Sequence, residues 1–225
     1  MRASPTSKIA YAALAAADTV LAGSRAPAAH RARRFTKPLL MPTLAAAVVT
    51  DARSATSPLV GPVLAAEAAS WCGDIALLGD DPVHFVVGAT SFACAHASYI
   101  RGLLRRRGDV PSLPLAAVGV LWAVTVPAVA AGAARERCWL APVVAGYSAT
   151  LAGTAAAATQ LDPALPVRAR RAALVGAGLF LLSDALLGAR RFLLRDAPPW
   201  IESAVMATYA AAQFLLADVA LKAAG

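Results

Sequence analysis

From Leu113 to Ala131 the chain carries no charged residue, and comparably apolar runs recur along most of its length. Hydrocarbon offers backbone N–H and C=O groups no partner, and each unpaired group costs several kcal/mol there, so such runs cross lipid as helices. Runs between charged or Pro/Gly-rich breaks place eight helices near residues 9–23, 37–50, 58–79, 83–101, 113–131, 138–159, 172–194 and 199–221. The second is short of the roughly 20 residues a span needs, and seven spans is the competing count. The fold class is therefore all-α, a polytopic transmembrane helix bundle forming a single domain over residues 1–225.

Composition agrees. The chain is 59% hydrophobic and 15% charged, with a mean hydropathy of +0.61, against about 45–50% apolar and about 25% charged in a soluble domain. Alanine dominates and aromatic residues are only 6%, so packing must come from close backbone approach rather than large side chains. From Met1 to about Ala26 the chain mimics a secretory signal, with Arg2 and Lys8 ahead of Ile9–Ala22. Asp18 and the many later spans favour an uncleaved first helix.

The net charge is +8, but Lys and Arg are scattered among the breaks rather than gathered with aromatic residues. That excludes a nucleic-acid partner and favours membrane lipids with anionic headgroups, Arg31-Ala32-Arg33-Arg34 reading as a headgroup-binding loop. Basic residues divide almost evenly over the two sides of an eight-helix bundle, so orientation stays open. Cys72, Cys94 and Cys138 have no paired spacing, His30 and His84 fall in loops and His96 stands alone, which implies neither disulfide nor metal site. No nucleophile elbow, phosphate loop or dinucleotide fingerprint appears, and no cofactor is implied.

Proline punctuates the helices. Pro38, Pro58, Pro82 and Pro199 read as first-turn residues, Gly79-Asp80-Asp81-Pro82 as a tight turn, and Pro127 and Pro142 as interior kinks.

Within this apolar background Asp74 and Asp184 are costly, at about +2.5 to +3.5 kcal/mol for a centred Asp, and neither has a cation within a turn of its own helix. Helical periodicity puts Glu67, Ser70 and Asp74 on one face, and Phe180, Asp184 and Arg191 on another. Tyr147 aligns with Thr154, His96 with Tyr99, Tyr11 with Asp18, and Glu202, Met206, Tyr209 and Gln213 share a stripe. Depth along the helices groups Lys37, Asp74, Asp184, Tyr147 and Tyr209 into one pocket with Gln213 deeper. Asp184 falls near mid-membrane among Leu and Phe, and His96 and Tyr99 nearer the opposite face. Asp18 and Glu202 read as interfacial and Tyr99, beside Arg101, as an interfacial anchor. Tyr147 and Gln213 suit either helix-to-helix hydrogen bonding or substrate contact.

Several spacings occur in a fixed order: Lys37-Pro38-Leu39, Ser70-x-x-Gly73-Asp74, Gly88-x-x-x-Phe92-x-x-x-His96-x-x-Tyr99, Pro142-Val143-x-x-x-Tyr147, Gly176-Ala177-x-Leu179-Phe180-x-x-Ser183-Asp184-x-x-Leu187 and Thr208-Tyr209-x-x-x-Gln213. Together they resemble the YhhN family of lysoplasmalogenase-like membrane proteins. The resemblance implies an eight-helix fold in the bacterial plasma membrane and hydrolysis of the vinyl ether bond of a lysophospholipid substrate. The products would be a fatty aldehyde and glycerophosphoethanolamine or glycerophosphocholine. It makes Asp74 and Asp184 the catalytic pair and Lys37, His96, Tyr147, Ser183, Tyr209 and Gln213 the substrate-binding positions. Ala210 stands where the family carries a second tyrosine, and Thr154 where a methionine is usual, which bears on substrate choice.

The chemistry fits the residues independently. Protonating the alkene carbon of a vinyl ether gives an oxocarbenium ion, water adds, and the hemiacetal collapses, a sequence that needs one acid and one anion, as in glycoside hydrolysis by paired carboxylates. Asp184 is expected to be the acid and Asp74 the base. A lipid or small-molecule transporter could use the same aspartates as a relay, but calls for inverted symmetry and broken midplane helices. A hydrolase of another lipid bond, such as an amidase resembling the alkaline ceramidases, calls for a histidine set.

Overall fold

The computed structural model describes residues 5–79, 81–111 and 113–223. Among them eight helices form: α1 (Pro5–Ala22), α2 (Pro27–Val49), α3 (Val60–Ala76), α4 (Pro82–Leu104), α5 (Leu113–Glu136), α6 (Leu140–Thr159), α7 (Val167–Gly188) and α8 (Trp200–Lys222). A 3₁₀ turn, Ala52–Thr56, follows α2, and a π turn, Ala189–Leu193, continues α7. Arg2 and Asp80, expected in a basic flank and a tight turn, lie outside the described residues.

Five helices, α4 to α8 with the π turn included in α7, are long and apolar enough to cross a membrane. The protein is a membrane protein. The shortfall from eight spans lies in α1 to α3: α2 carries Arg31, Arg33, Arg34 and Lys37, and α3 is only 17 residues long.

Several boundaries differ from the sequence reading. Pro27, at the N-terminal end of α2, starts that helix well upstream of Lys37, because proline there sacrifices only an N–H that has no helical acceptor. Arg31-Ala32-Arg33-Arg34 is thus helix rather than loop, and His30 lies on the same helix. Pro38 and Pro42 fall inside it instead of in a first turn. His84 is likewise helical, in the first turn of α4, where Asp81 caps the chain by accepting from the Val83 and His84 N–H groups at 2.8 and 3.0 Å. Pro82 occupies that first turn as expected, whereas Pro58 precedes α3 and Pro199 is the residue before α8. Pro142 sits in the first turn of α6 and imposes no interior break, leaving Pro127 as the interior proline of α5.

Pro42 has a visible consequence. Lacking an N–H, it leaves the Pro38 carbonyl without its helical donor, and Trp71 of α3 supplies the missing bond through Nε1–H at 2.8 Å. A proline defect in α2 becomes a link to α3 beside Lys37.

Consecutive helices pack as neighbours except that α4 packs on α6 rather than extensively on α5, and α8 contacts α1, α2 and α3 as well as α7. It is the hub: 67% of its most apolar window is buried, against 6% for α5, which packs mainly on α6 and the π turn. Bonds from side chains to backbone lock the hub in place. Tyr11 donates to the Ala210 carbonyl at 2.8 Å, Ser203 to Thr19 at 2.8 Å, and Ser183 to Val205 at 3.1 Å. At Gly73 a Cβ would meet the Phe92 ring at 2.6 Å, so only glycine lets α3 approach α4 so closely.

Candidate active site

Asp74 and Asp184 lie near the C-terminal ends of α3 and α7 and line one cavity of about 80 Å³. Lys37, Tyr147, Ser183 and Tyr209 line it too, with Phe92 and Phe180 as apolar wall. Six of the eight residues expected from sequence therefore face one space. His96 and Gln213 stand behind that wall and hold two of the tyrosines.

Each aspartate has its own support. Asp74 is buried, accepts from the Tyr209 hydroxyl at 2.7 Å, and has the Lys37 ammonium 3.7 Å away. Gln213, one turn beyond Tyr209, donates to Ser70 at 2.8 Å and to the Tyr209 oxygen at 3.3 Å, and accepts from Tyr99 at 2.6 Å. Spacings of four residues on α8 (Tyr209, Gln213) and on α3 (Ser70, Asp74) put these groups on facing stripes. Asp184 accepts a hydrogen bond from Tyr147, whose oxygen also lies 3.5 Å from His96 Nε2. His96 Nδ1 is 3.0 Å from the Thr154 hydroxyl. Phe180 separates the two networks, crossing His96 edge-on at 4.6 Å and Tyr209 at 5.6 Å. Both carboxyls thus accept from a phenol, and of the two Asp74 also faces a cation.

These contacts carry the same residues that carried the resemblance, and the family profile matches residues 32–220, from α2 through nearly all of α8. The chain belongs to the YhhN family. No curated protein and no solved structure matches it. The YhhN match includes every residue that lines the cavity and leaves out α1.

Some placements overturn the sequence reading. Asp184 is only partly buried, and with the π turn included its span runs Val167–Leu193 against the expected 172–194. Asp74 is the more deeply enclosed of the pair. Tyr99 is no interfacial anchor but a buried donor to Gln213, and His96 reaches Tyr147 rather than the opposite face. Asp18, expected at an interface, is fully buried: it accepts from Thr36 at 2.5 Å and pairs with Arg33 at 3.4 Å. Arg33 also reaches Glu202 at 3.3 Å, and Arg190 pairs with Glu202 at 2.9 Å. The inward face of α2 was written in the spacing Arg33, Thr36, Lys37, a signal obscured once that segment is read as loop. Arg190, Arg191 and Glu202 belong to the YhhN cavity lining and were missed as site residues. Among the described residues, no three His, Cys, Asp or Glu side chains converge as a metal site would require.

Glu67 is the unresolved polar group of the interior. It is buried one turn before Ser70, and neither carboxyl oxygen has a hydrogen-bond partner. Orphaned buried polar atoms cost about 1–3 kcal/mol. Glu67→Leu, which keeps comparable volume, is therefore expected to raise the midpoint of thermal unfolding by several degrees without lowering turnover. A lowered midpoint in detergent would show that Glu67 has a stabilising partner.

Proposed function

We propose that this YhhN protein is a membrane-embedded hydrolase of lysoplasmalogens, cleaving the vinyl ether bond by acid-base chemistry shared between Asp184 and Asp74. The observation that carries the reading is the placement of two differently supported carboxyl groups on one cavity. Asp184, held at one oxygen by Tyr147, gives the proton on its other oxygen to the alkene carbon remote from the ether oxygen. The positive charge that develops at the ether carbon is stabilised by Asp74, whose anionic form the Lys37 ammonium favours. Asp74 then takes a proton from water as it adds to that carbon. As the hemiacetal collapses, Asp74 returns its proton to the departing glycerol oxygen and Asp184 takes the proton of the hemiacetal hydroxyl, leaving an alcohol and a fatty aldehyde, so one water is consumed and both carboxyl groups return to their starting states.

Support also comes from membership of the YhhN family, which suggests a membrane hydrolase, and from Arg190 and Arg191 on the cavity lining, where a phosphate would meet positive charge. The direct test is aldehyde release from a lysoplasmalogen by purified protein in detergent. No aldehyde from folded protein, across headgroups and pH, would sink the proposal.

Lys37 separates two roles for a cation. As the charge partner of Asp74 it acts on chemistry, so Lys37→Met should lower kcat by about 10²–10³-fold, the range of losses from removing one electrostatic stabiliser. Arg191 instead lies over the Phe85 ring at 4.6 Å and pairs with Glu136 at 3.3 Å. Arg191→Met should raise KM with little change in kcat. Steady-state kinetics of the two variants check the division, and a pure KM effect at Lys37 would make it a phosphate ligand instead.

A further inference from the structure

A second cavity, of about 210 Å³, lies beside the polar one. Its walls come from α4, α5, α6, α7 and the π turn, with Val118, Trp122 and Val126 of α5 facing Val144 and Leu151 of α6 and Leu181 of α7. Away from Tyr147 and Asp184, the few polar atoms there are already occupied. Thr125 donates to the Leu121 carbonyl at 2.8 Å, Trp122 Nε1–H to Ser148 at 3.2 Å, and Ser148 to Ala145 at 3.0 Å. What remains is hydrocarbon surface. The two cavities meet: Phe85, Tyr147, Asp184 and Leu187 line both.

The cavity is bounded beside Val129, Gly188 and Phe192 for a sequence reason. Gly132 lets α5 touch the π turn there, where a Cβ would come within 2.6 Å of the Phe192 carbonyl oxygen, and Gly188 approaches Val129 in the same way at 3.1 Å. Beyond this pinch α5 stays on α6 and does not pack extensively against α7, so space opens between them. From Val129 to Val118 the rise is roughly 16 Å at about 1.5 Å per residue. That is about half of the roughly 30 Å hydrocarbon core, the depth of a single leaflet.

Building on the hydrolase reading, we propose that this second cavity holds the single hydrocarbon chain of the lysolipid, with Asp184 and Tyr147 at the junction where chain gives way to polar headgroup. A chain in the apolar cavity and a phosphate in the polar one put the first carbons of the chain beside Asp184, the group that must reach an alkene carbon. A cavity of this size beside the site has room for one chain, which favours one-chain lipids over two-chain lipids. Because α5 is the least enclosed helix, the chain enters sideways from the bilayer.

Trp122 reports occupancy without any turnover. In a variant with Trp71, Trp139 and Trp200 changed to Phe, lysophosphatidylcholine with a mid-chain-brominated stearoyl ester should quench Trp122 saturably, and unbrominated stearoyl lysophosphatidylcholine should displace it. Ala152→Phe, at the far end of the cavity, should weaken stearoyl binding about tenfold, equivalent to the loss of roughly two buried methylenes, and leave the decanoyl analogue unaffected. Val118→Phe, on the loosely enclosed α5, should do the same and guards against misfolding of the first variant. Non-saturable quenching, equalled by brominated two-chain phosphatidylcholine, would show that Trp122 merely faces bulk lipid and would overturn the proposal, whether or not aldehyde is released. Saturable quenching in a protein that releases no aldehyde would leave the chain site standing and remove the vinyl ether chemistry alone.

Discussion

Asp184→Asn is expected to cut aldehyde release by about 10²–10⁴-fold, the range for loss of a general acid or base, while leaving the unfolding midpoint nearly unchanged. The asparagine side-chain oxygen still accepts from Tyr147, so the bond between α6 and α7 survives, but the amide cannot deliver the proton. Asp74→Asn should lose as much activity and behave differently in stability. It leaves the buried Lys37 ammonium without the carboxylate 3.7 Å away, and uncompensated buried charge is expensive. The contrast is read from kcat and thermal unfolding measured on the same preparations. Equal stability losses would mean that the Lys37 contact is energetically idle, and retained turnover in Asp184→Asn would remove that residue from the chemistry.

Arg33→Met should be the most damaging change outside the cavity lining. Asp18 is fully buried, and Arg33 is its only ion-pair partner among the described residues. Removing one member of a buried pair costs about 3–5 kcal/mol because the other charge stays behind, and Glu202 loses one of its two arginines as well. The Thr36 hydroxyl at 2.5 Å cannot replace a full charge. Combining Arg33→Met with Asp18→Asn should recover most of the loss, and denaturation in detergent reads it. Additive effects of the two changes would mean that they do not interact.

The sequence exposed most of the candidate site because its residues repeat at helical spacing against an alanine and leucine background. Asp74, Tyr209, Asp184, Tyr147 and Lys37 could be placed in one pocket from depth along their helices, whereas Ser183 came only with the family resemblance. Periodicity failed where distant helices supply the partner. Nothing in the run around Asp18 announces Arg33, and nothing around Tyr99 announces Gln213, since those pairings exist only after α2 and α4 have packed. Helix ends were the other weak point. Pro38 resembled a start signal, yet Pro27 is the start, because the cationic face of α2 finds acidic partners within the bundle and need not lie in water. That shift moved the depth of every residue counted from the start of α2, Lys37 included.

The contrast between the enclosed α8 and the outlying α5 divides the molecule by its freedom to change. Tyr209, Gln213 and the carbonyls that grip α1 and α7 are all on α8, where a new side chain disturbs several neighbours at once. Along α5 most positions face lipid, and a substitution there meets little besides α6. Over generations, mutations can accumulate on α5 while the residues around Asp74 and Asp184 stay as they are. A lineage facing a different bilayer could adapt through that one helix.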